Sequence, residues 1–245
     1  MQKTSYGKKQ LGHSEFIIIA PHAAGDDKKT GVLARHLGKK LDAFIIINKR
    51  FFKEKNSKAK KFPERIEDFN KLRWNYTTKK YAWRRKKPEM KEFYKDIKEY
   101  SKLARQQSKN KRAFCIHLHG TQSESIGIDI GAGTRYLKEK KNYVGSGENG
   151  NNLLNSGKTT ITPLQLYTLQ KELEKELQKT FPLMVTIGKY FPGWSKQSAI
   201  QFHKNEGRDD SAIQLEINNV LRSNTINIRY ITDLLAKKIK QIAYL

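Results

Sequence analysis

Two of the chain's six histidines fall in Phe114-Cys115-Ile116-His117-Leu118-His119-Gly120, a run that is otherwise apolar. Side chains alternate across a strand, so Phe114, Ile116 and Leu118 share one face while Cys115, His117 and His119 share the other. Both imidazoles then point the same way, with His119 at the carboxyl edge before Gly120 and His117 one pleat deeper. His22 stands just beyond a second apolar run, Phe16-Ile17-Ile18-Ile19-Ala20, and Asp26 and Asp27 follow in a Gly-containing turn. Two neighbouring strand ends would bring imidazole, carboxylate and imidazole together, a donor set suited to zinc with water at the remaining position. Any one of these histidines, taken alone, reads better as a hydrogen-bonded polar residue; the three together favour the metal. Activated water needs a proton acceptor, and Glu216 interrupts the apolar strand pattern of Ala212-Ile-Gln-Leu-Glu-Ile-Asn218, where an ionisable group is costly unless used or paired. Gln214, Glu216 and Asn218 also alternate with Ile213, Leu215 and Ile217, which by itself describes a half-buried strand with a wet polar face.

These residues need a scaffold that gathers strand ends. Short, continuously apolar runs at Glu15 to Ala20, Phe44 to Ile47 and Ala113 to Leu118 suit strands buried on both faces, as in a parallel sheet. Thr30 to Leu41 has helical spacing between the first two, which makes a strand–helix–strand unit. Further strands are expected at Ile126 to Ile130, Met184 to Ile187 and Ala212 to Ile217. Pro88 can open an amphipathic helix carrying Met90, Phe93, Tyr94, Ile97, Tyr100, Leu103 and Ala104 on one stripe. Thr162-Pro163 supplies a cap and first turn for a helix ending near Phe181, and periodicity places a last helix at about Asp233 to Tyr244. The expected architecture is α/β, a mostly parallel or mixed central sheet flanked by helices in one domain over 1–245. Residues 49–112, basic and studded with aromatics, read as a helical insertion, and Gly145 to Gly157 as a mobile loop.

Lys and Arg number 49 against 24 Asp and Glu, a net charge of +25, which attracts polyanions without saying which. Cys115 is the only cysteine, which excludes an intrachain disulfide framework and a multi-cysteine zinc cluster, so His and carboxylate must hold any metal. No window is apolar for long enough to cross a bilayer, and the expectation is a cytoplasmic protein without a membrane span. Gly127-x-x-x-Gly131-x-Gly133-Thr134 lacks the lysine and the spacing of a nucleotide fingerprint.

Four segments, APHAAGDDKKTGVLARHL, EDFNK, FCIHLHGTQSESIGIDIGAGT and IQLEINNVLR, together resemble the N-formylglutamate amidohydrolase and zinc-carboxypeptidase-like superfamily, and their order along the chain agrees. The resemblance covers about half the chain and implies a zinc-exopeptidase-like, phosphorylase/hydrolase-like α/β fold. It implies one zinc per chain on His22, Asp27 and His119, with Asp26 and His117 as alternative or supporting groups, and Glu216 as general base. Relatives grip a substrate carboxylate through an Asp-x-Asn-Arg-like motif. Here Asp68-Phe69-Asn70-Lys71 ends in lysine, a point charge rather than a bidentate fork, which Arg73 or Arg65 would have to supply. Asn70, Lys71, Arg73, Gln214 and Arg222 are thus the expected substrate-binding residues.

The expected activity is zinc-dependent hydrolysis of an amide bond in an acidic N-acyl amino acid or peptide-like substrate. One alternative is a poly-γ-glutamate or cell-wall peptide hydrolase. Another is a nucleic-acid-binding protein that uses Phe51, Phe52, Trp74, Tyr76, Tyr81 and Trp83 among its cations for stacking and phosphate attraction. The plainer account of that segment is a solvated basic face with its aromatics packed beneath.

Overall fold

The computed structural model describes residues 1–25, 27–54, 56–58, 60–84, 86–137, 142–145 and 159–245. In chain order its strands and helices are β1 (Gln2–Lys3), β2 (Gly7–Gln10), β3 (Phe16–Ala20), α1 (Thr30–Leu41), β4 (Phe44–Asn48), β5 (Trp74–Asn75), β6 (Lys80–Tyr81), α2 (Pro88–Gln107), β7 (Phe114–Thr121), β8 (Ile126–Gly131), β9 (Thr134–Leu137), β10 (Asn142–Gly145), α3 (Pro163–Leu177), β11 (Met184–Ile187), β12 (Ser211–Asn218) and α4 (Thr225–Ala243). Eight strands form one sheet in the order β1-β2-β4-β3-β7-β12-β8-β11. The central strands β4, β3, β7 and β12 run parallel, while β8 enters antiparallel to β12. This is the expected mixed, mostly parallel α/β sheet, with β9–β10 and β5–β6 as separate two-stranded pairs.

Strand alternation divides the interior in two. Phe114, Ile116 and Leu118 of β7, with Ile213, Leu215 and Ile217 of β12, pack beneath α1, α3 and α4. Cys115 and Ala212 face the opposite side, where they join Phe93, Tyr94 and Ile97 of α2. Phe51, Phe52, Trp74 and Tyr81 are also buried on this side, and Trp83 packs partly buried against it. Of the six aromatics singled out for base stacking, only Tyr76 is exposed, at 37%. The segment covers the sheet with its rings, as burial of large apolar area favours, and turns its lysines outward.

Three boundaries differ from the expectations. α4 begins at Thr225 rather than Asp233, because the Asn224 side chain accepts from Asn227 N and starts the helix two turns earlier, burying Ile228 and Ile231. α3 stops at Leu177; its Thr162–Gln165 capping box was foreshadowed by the Thr-Pro signal. β1 and β2 were not anticipated, since Gly7-Lys8-Lys9-Gln10 has no apolar pattern; the segment pairs along the edge of β4, where lysines suit an outer strand. Residues 146–157 of the expected loop lie outside the described residues.

An ion pair with a buried carboxylate ties α2 to the entry of β12. Asp210, fully buried, accepts from Arg105 Nε at 2.7 Å and Nη2 at 2.6 Å, and from Ala113 N at 3.1 Å. Arg105→Met would leave that carboxylate with only the Ala113 amide, and unfolding by urea should show a loss of about 1–3 kcal/mol, less than for a wholly buried pair because the Arg105 side chain is 35% exposed.

Candidate functional site

β3 and β7 are neighbours, so their carboxyl ends deliver His22 and His119 to one place. The turn after β3 folds back, Asp27 N donating to His22 O at 3.2 Å, and buries Asp27 between the two rings. Asp27 Oδ2 lies 3.3 Å from His22 Nδ1 and 3.2 Å from His119 Nδ1, and the two Nδ1 atoms are 3.2 Å apart. Three ligand atoms each 2.0–2.1 Å from a tetrahedral zinc would stand about 3.3 Å from one another, so the triangle has the right size for that ion.

Hydrogen bonds and charge hold the three groups together. His22 Nε2 donates to Asp68 Oδ1 at 2.9 Å, which orients the ring with Nδ1 toward Asp27 and His119. Burial lowers the pKa of His22, but its bonds to Asp27 and Asp68 outweigh that and hold it above the ordinary value. His119 drops to about 4, burial prevailing over its bond to Asp27. Burial pushes the Asp27 carboxyl up, yet the two imidazoles hold it well below the usual range, and Asp68 falls to about 2 for the same reason beside His22. Buried His119 Nε2 has no protein hydrogen-bond partner. Two imidazole nitrogens and a carboxylate are donors a divalent zinc ion takes, and His22 would release its Nδ1 proton as the ion binds.

β12 lies beside β7 in parallel register, Glu216 opposite His119 and Gln214 opposite His117. Glu216 is buried and accepts from Gln214 Nε2 at 2.7 Å. Burial first, and then the Asp27 charge, push its pKa up to about 8. In metal-free protein between pH 4.5, the ordinary value, and about 8, the folded chain keeps a proton that the unfolded chain has lost, so this residue reduces stability as pH rises across that window. Glu216→Gln should therefore gain stability over metal-free wild type progressively from pH 4.5 to 8 and hold a constant difference above, as thermal unfolding across that range would show.

A cavity of about 420 Å³ opens beside His22, the member of the trio that lines it. Asn70, Lys71 and Gln214 line it, as do Asp68, Lys53 and a turn at residues 190–194. Asn70 Nδ2 lies 3.5 Å from Gln214 Oε1, a long contact that links the Asp68 segment to β12. Two expected substrate contacts are elsewhere. Arg73 lines a separate depression with Trp74 and Arg84, because the β5–β6 pair carries it away. The buried guanidinium of Arg222 donates to the carbonyls of Ile217 at 2.9 Å, Thr121 at 3.3 Å and Lys28, which ties the ends of β12 and β7 to the turn that carries Asp27.

His117 shares the face of His119, yet its Nε2 is 2.9 Å from Nε2 of His203, and both rings are buried. His203, on the short 3-10 turn Ala199–His203, is thus an interior partner. Asp26 lies outside the described residues. Among the described residues, Cys115, His203 and Asp210 form a second group with ligand-like spacing, but both carboxylate oxygens of Asp210 already serve Arg105.

The eight-stranded mixed sheet and its flanking helices define an α/β domain that gathers two imidazoles and a carboxylate at its strand ends. Solved structures share this fold over nearly the whole chain. The N-formylglutamate amidohydrolase of Ralstonia eutropha is 12% identical, with a TM-score of 0.54 over 95% of this chain and 94% of that one. A gene product of Agrobacterium tumefaciens is 11% identical with the same TM-score, over 97% and 93%. A protein called YNDL, solved zinc-free, is 14% identical with a TM-score of 0.50, over 97% and 90%. At these identities the likeness is one of fold. No protein-family model matches the sequence, and no curated protein does.

Proposed function

We propose that this chain is a zinc-dependent hydrolase that cleaves the amide bond of an acidic N-acyl amino acid or peptide-like substrate. The observation that carries the reading is the triangle of His22 Nδ1, Asp27 Oδ2 and His119 Nδ1, with sides of 3.2–3.3 Å, one strand away from buried Glu216. The fold likeness to an N-formylglutamate amidohydrolase supports the reaction class.

His22, Asp27 and His119 would hold the ion, which when bound polarises the scissile carbonyl and acidifies water. Glu216 takes the proton from water as its oxygen bonds to the carbonyl carbon, and returns it to the amide nitrogen as the C–N bond breaks. A carboxylate poised near neutrality by burial is suited to both transfers. Gln214 restrains the Glu216 side chain at Oε1. Lys53, Lys71 and Asn70 orient an acidic substrate, their two ammonium charges acting at the cavity wall.

The test is metal content and turnover together. Protein reconstituted with zinc should carry about one ion per chain by mass spectrometry. It should release formate from N-formyl-L-glutamate and lose that activity to a chelator at constant ionic strength. Absence of stoichiometric metal after reconstitution would overturn the reading. A poly-γ-glutamate or cell-wall peptide substrate is the second reading, favoured by the +25 charge, and shortening of the polymer would distinguish it.

A further inference from the structure

The turn that closes the cleft is held by a buried carboxylate that the proposed chemistry does not use. Asp129 sits inside β8, between Ile128 and Ile130, and is buried. Burying a carboxylate is costly unless donors surround it. Here Thr186 Oγ1 donates at 2.7 Å, and three successive amides, Lys189 N at 3.0 Å, Tyr190 N at 2.9 Å and Phe191 N at 3.1 Å, wrap its two oxygens. Successive N–H groups converging on one anion make a nest, which fixes the backbone that supplies them.

Other contacts restrain the same turn. Gly188 N donates to Ile130 O at 3.0 Å and Gly133 N to Pro192 O at 2.7 Å. Gln201 Nε2 donates to Gly193 O at 2.9 Å. The turn lies so close to β8 that a Cβ at Gly131 would run into Phe191 O. Gly193 takes a left-handed φ of 69°, a conformation glycine adopts without strain.

This rigid turn leaves its aromatics unburied. Tyr190 is 54% exposed and Phe191 45% exposed, and neither belongs to either apolar core. Both line the cavity together with Trp194. Lys53 and Lys71 line the same cavity, and Lys53 lies near enough to act on His22, His119 and Glu216 electrostatically. A preformed pocket that presents exposed rings beside cations suits a ligand with one planar apolar part and one anionic part.

We infer that the cleft selects acylated amino acids whose acyl group is aromatic, bound against Tyr190, Phe191 and Trp194, and that Asp129 is the positioning residue that holds this aromatic wall in place. The inference rests on the hydrolase reading for the scissile bond and for assigning the ring to the acyl side, and on the exposed rings of the turn for the aromatic preference.

The test compares N-benzoyl-L-glutamate with N-formyl-L-glutamate on zinc-reconstituted full-length protein, by calorimetric titration and by initial rates. The benzoyl ligand should bind at least about tenfold more tightly, the scale expected when part of a ring's apolar surface leaves water. In Tyr190→Ala/Phe191→Ala that ratio should fall to about threefold or less. Asp129→Asn keeps one acceptor oxygen but loses the charge, and should shrink the ratio chiefly through KM for the benzoyl substrate rather than through kcat. If Asp129→Asn fails to fold, the double variant alone decides the aromatic wall, and Asp129→Glu, which keeps the charge, decides the positioning role. Equal binding of the two ligands by wild type, no binding of either, or a ratio preserved in the double variant would overturn the inference. Ring-dependent binding without hydrolysis of either compound would sustain the aromatic cleft while overturning the hydrolase reading; hydrolysis with no ring preference would do the opposite.

Discussion

Glu216→Gln should lower kcat for amide hydrolysis by about 10²–10⁴, the range a positioned acid–base group supplies, while zinc content stays at one per chain. Glutamine keeps the volume and the hydrogen bond that Gln214 Nε2 makes at 2.7 Å, because its carbonyl oxygen can still accept. It cannot take a proton, so the loss falls on the chemical step and KM changes little. The variant also separates catalysis from structure. Its gain in metal-free stability from pH 4.5 to 8 is a folding effect, and it comes with lost turnover. A variant with intact zinc and wild-type kcat would remove Glu216 from the mechanism.

The second large effect concerns the metal. His119→Ala should weaken zinc binding by well over about 100-fold, because losing even an outer hydrogen-bond partner of a ligand commonly costs 10–100-fold. Asp68→Asn tests that smaller class, since Asp68 holds the His22 ring through Nε2 at 2.9 Å, and should cost about 10–100-fold. His117→Ala should keep the metal, because the His117 Nε2 atom faces His203 rather than the trio. Competition against a chromogenic chelator ranks the three variants. Metal lost in His117→Ala and kept in His119→Ala would reverse the assignment.

Much of the site could be read from residue order because strand periodicity is local. Apolar runs announced β3, β4 and β7, and period-two alternation put His119 with His117 on one face of β7 and Glu216 with Gln214 and Asn218 on one face of β12, while the pairing that sets Glu216 opposite His119 came only from the structure. Asp129 carries the same mark, an ionisable residue inside Ile126-Gly-Ile-Asp-Ile130, and the exposed turn is announced by Tyr190-Phe-Pro-Gly-Trp194. What joins them, three backbone amides folding back onto a carboxylate sixty residues earlier, leaves no pattern in composition. Asp68 shows the same limit. Its motif suggested a substrate grip through Asn70 and Lys71, yet its own carboxylate went to a histidine 46 positions away.

Arg73 and Arg222 show where reading along the chain misleads. Both stand near promising residues in sequence, but a two-residue strand pair carries Arg73 off to a different depression, and Arg222 spends its guanidinium on main-chain carbonyls. Proximity along the chain does not set side-chain direction. Sequence alone determined the α/β alternation, the donor types, the exclusion of a multi-cysteine zinc cluster and the face on which each strand's polar residues lie, because these depend on residue chemistry and a two-residue period. Only the tertiary structure decided which donors converge, that β3 and β7 are neighbours, that Asp68 orients His22, that His203 occupies His117 and that Phe51, Phe52, Trp74 and Tyr81 of the basic segment are core. Those outcomes depend on strand order and loop return, which are set by burying both faces of one sheet at once.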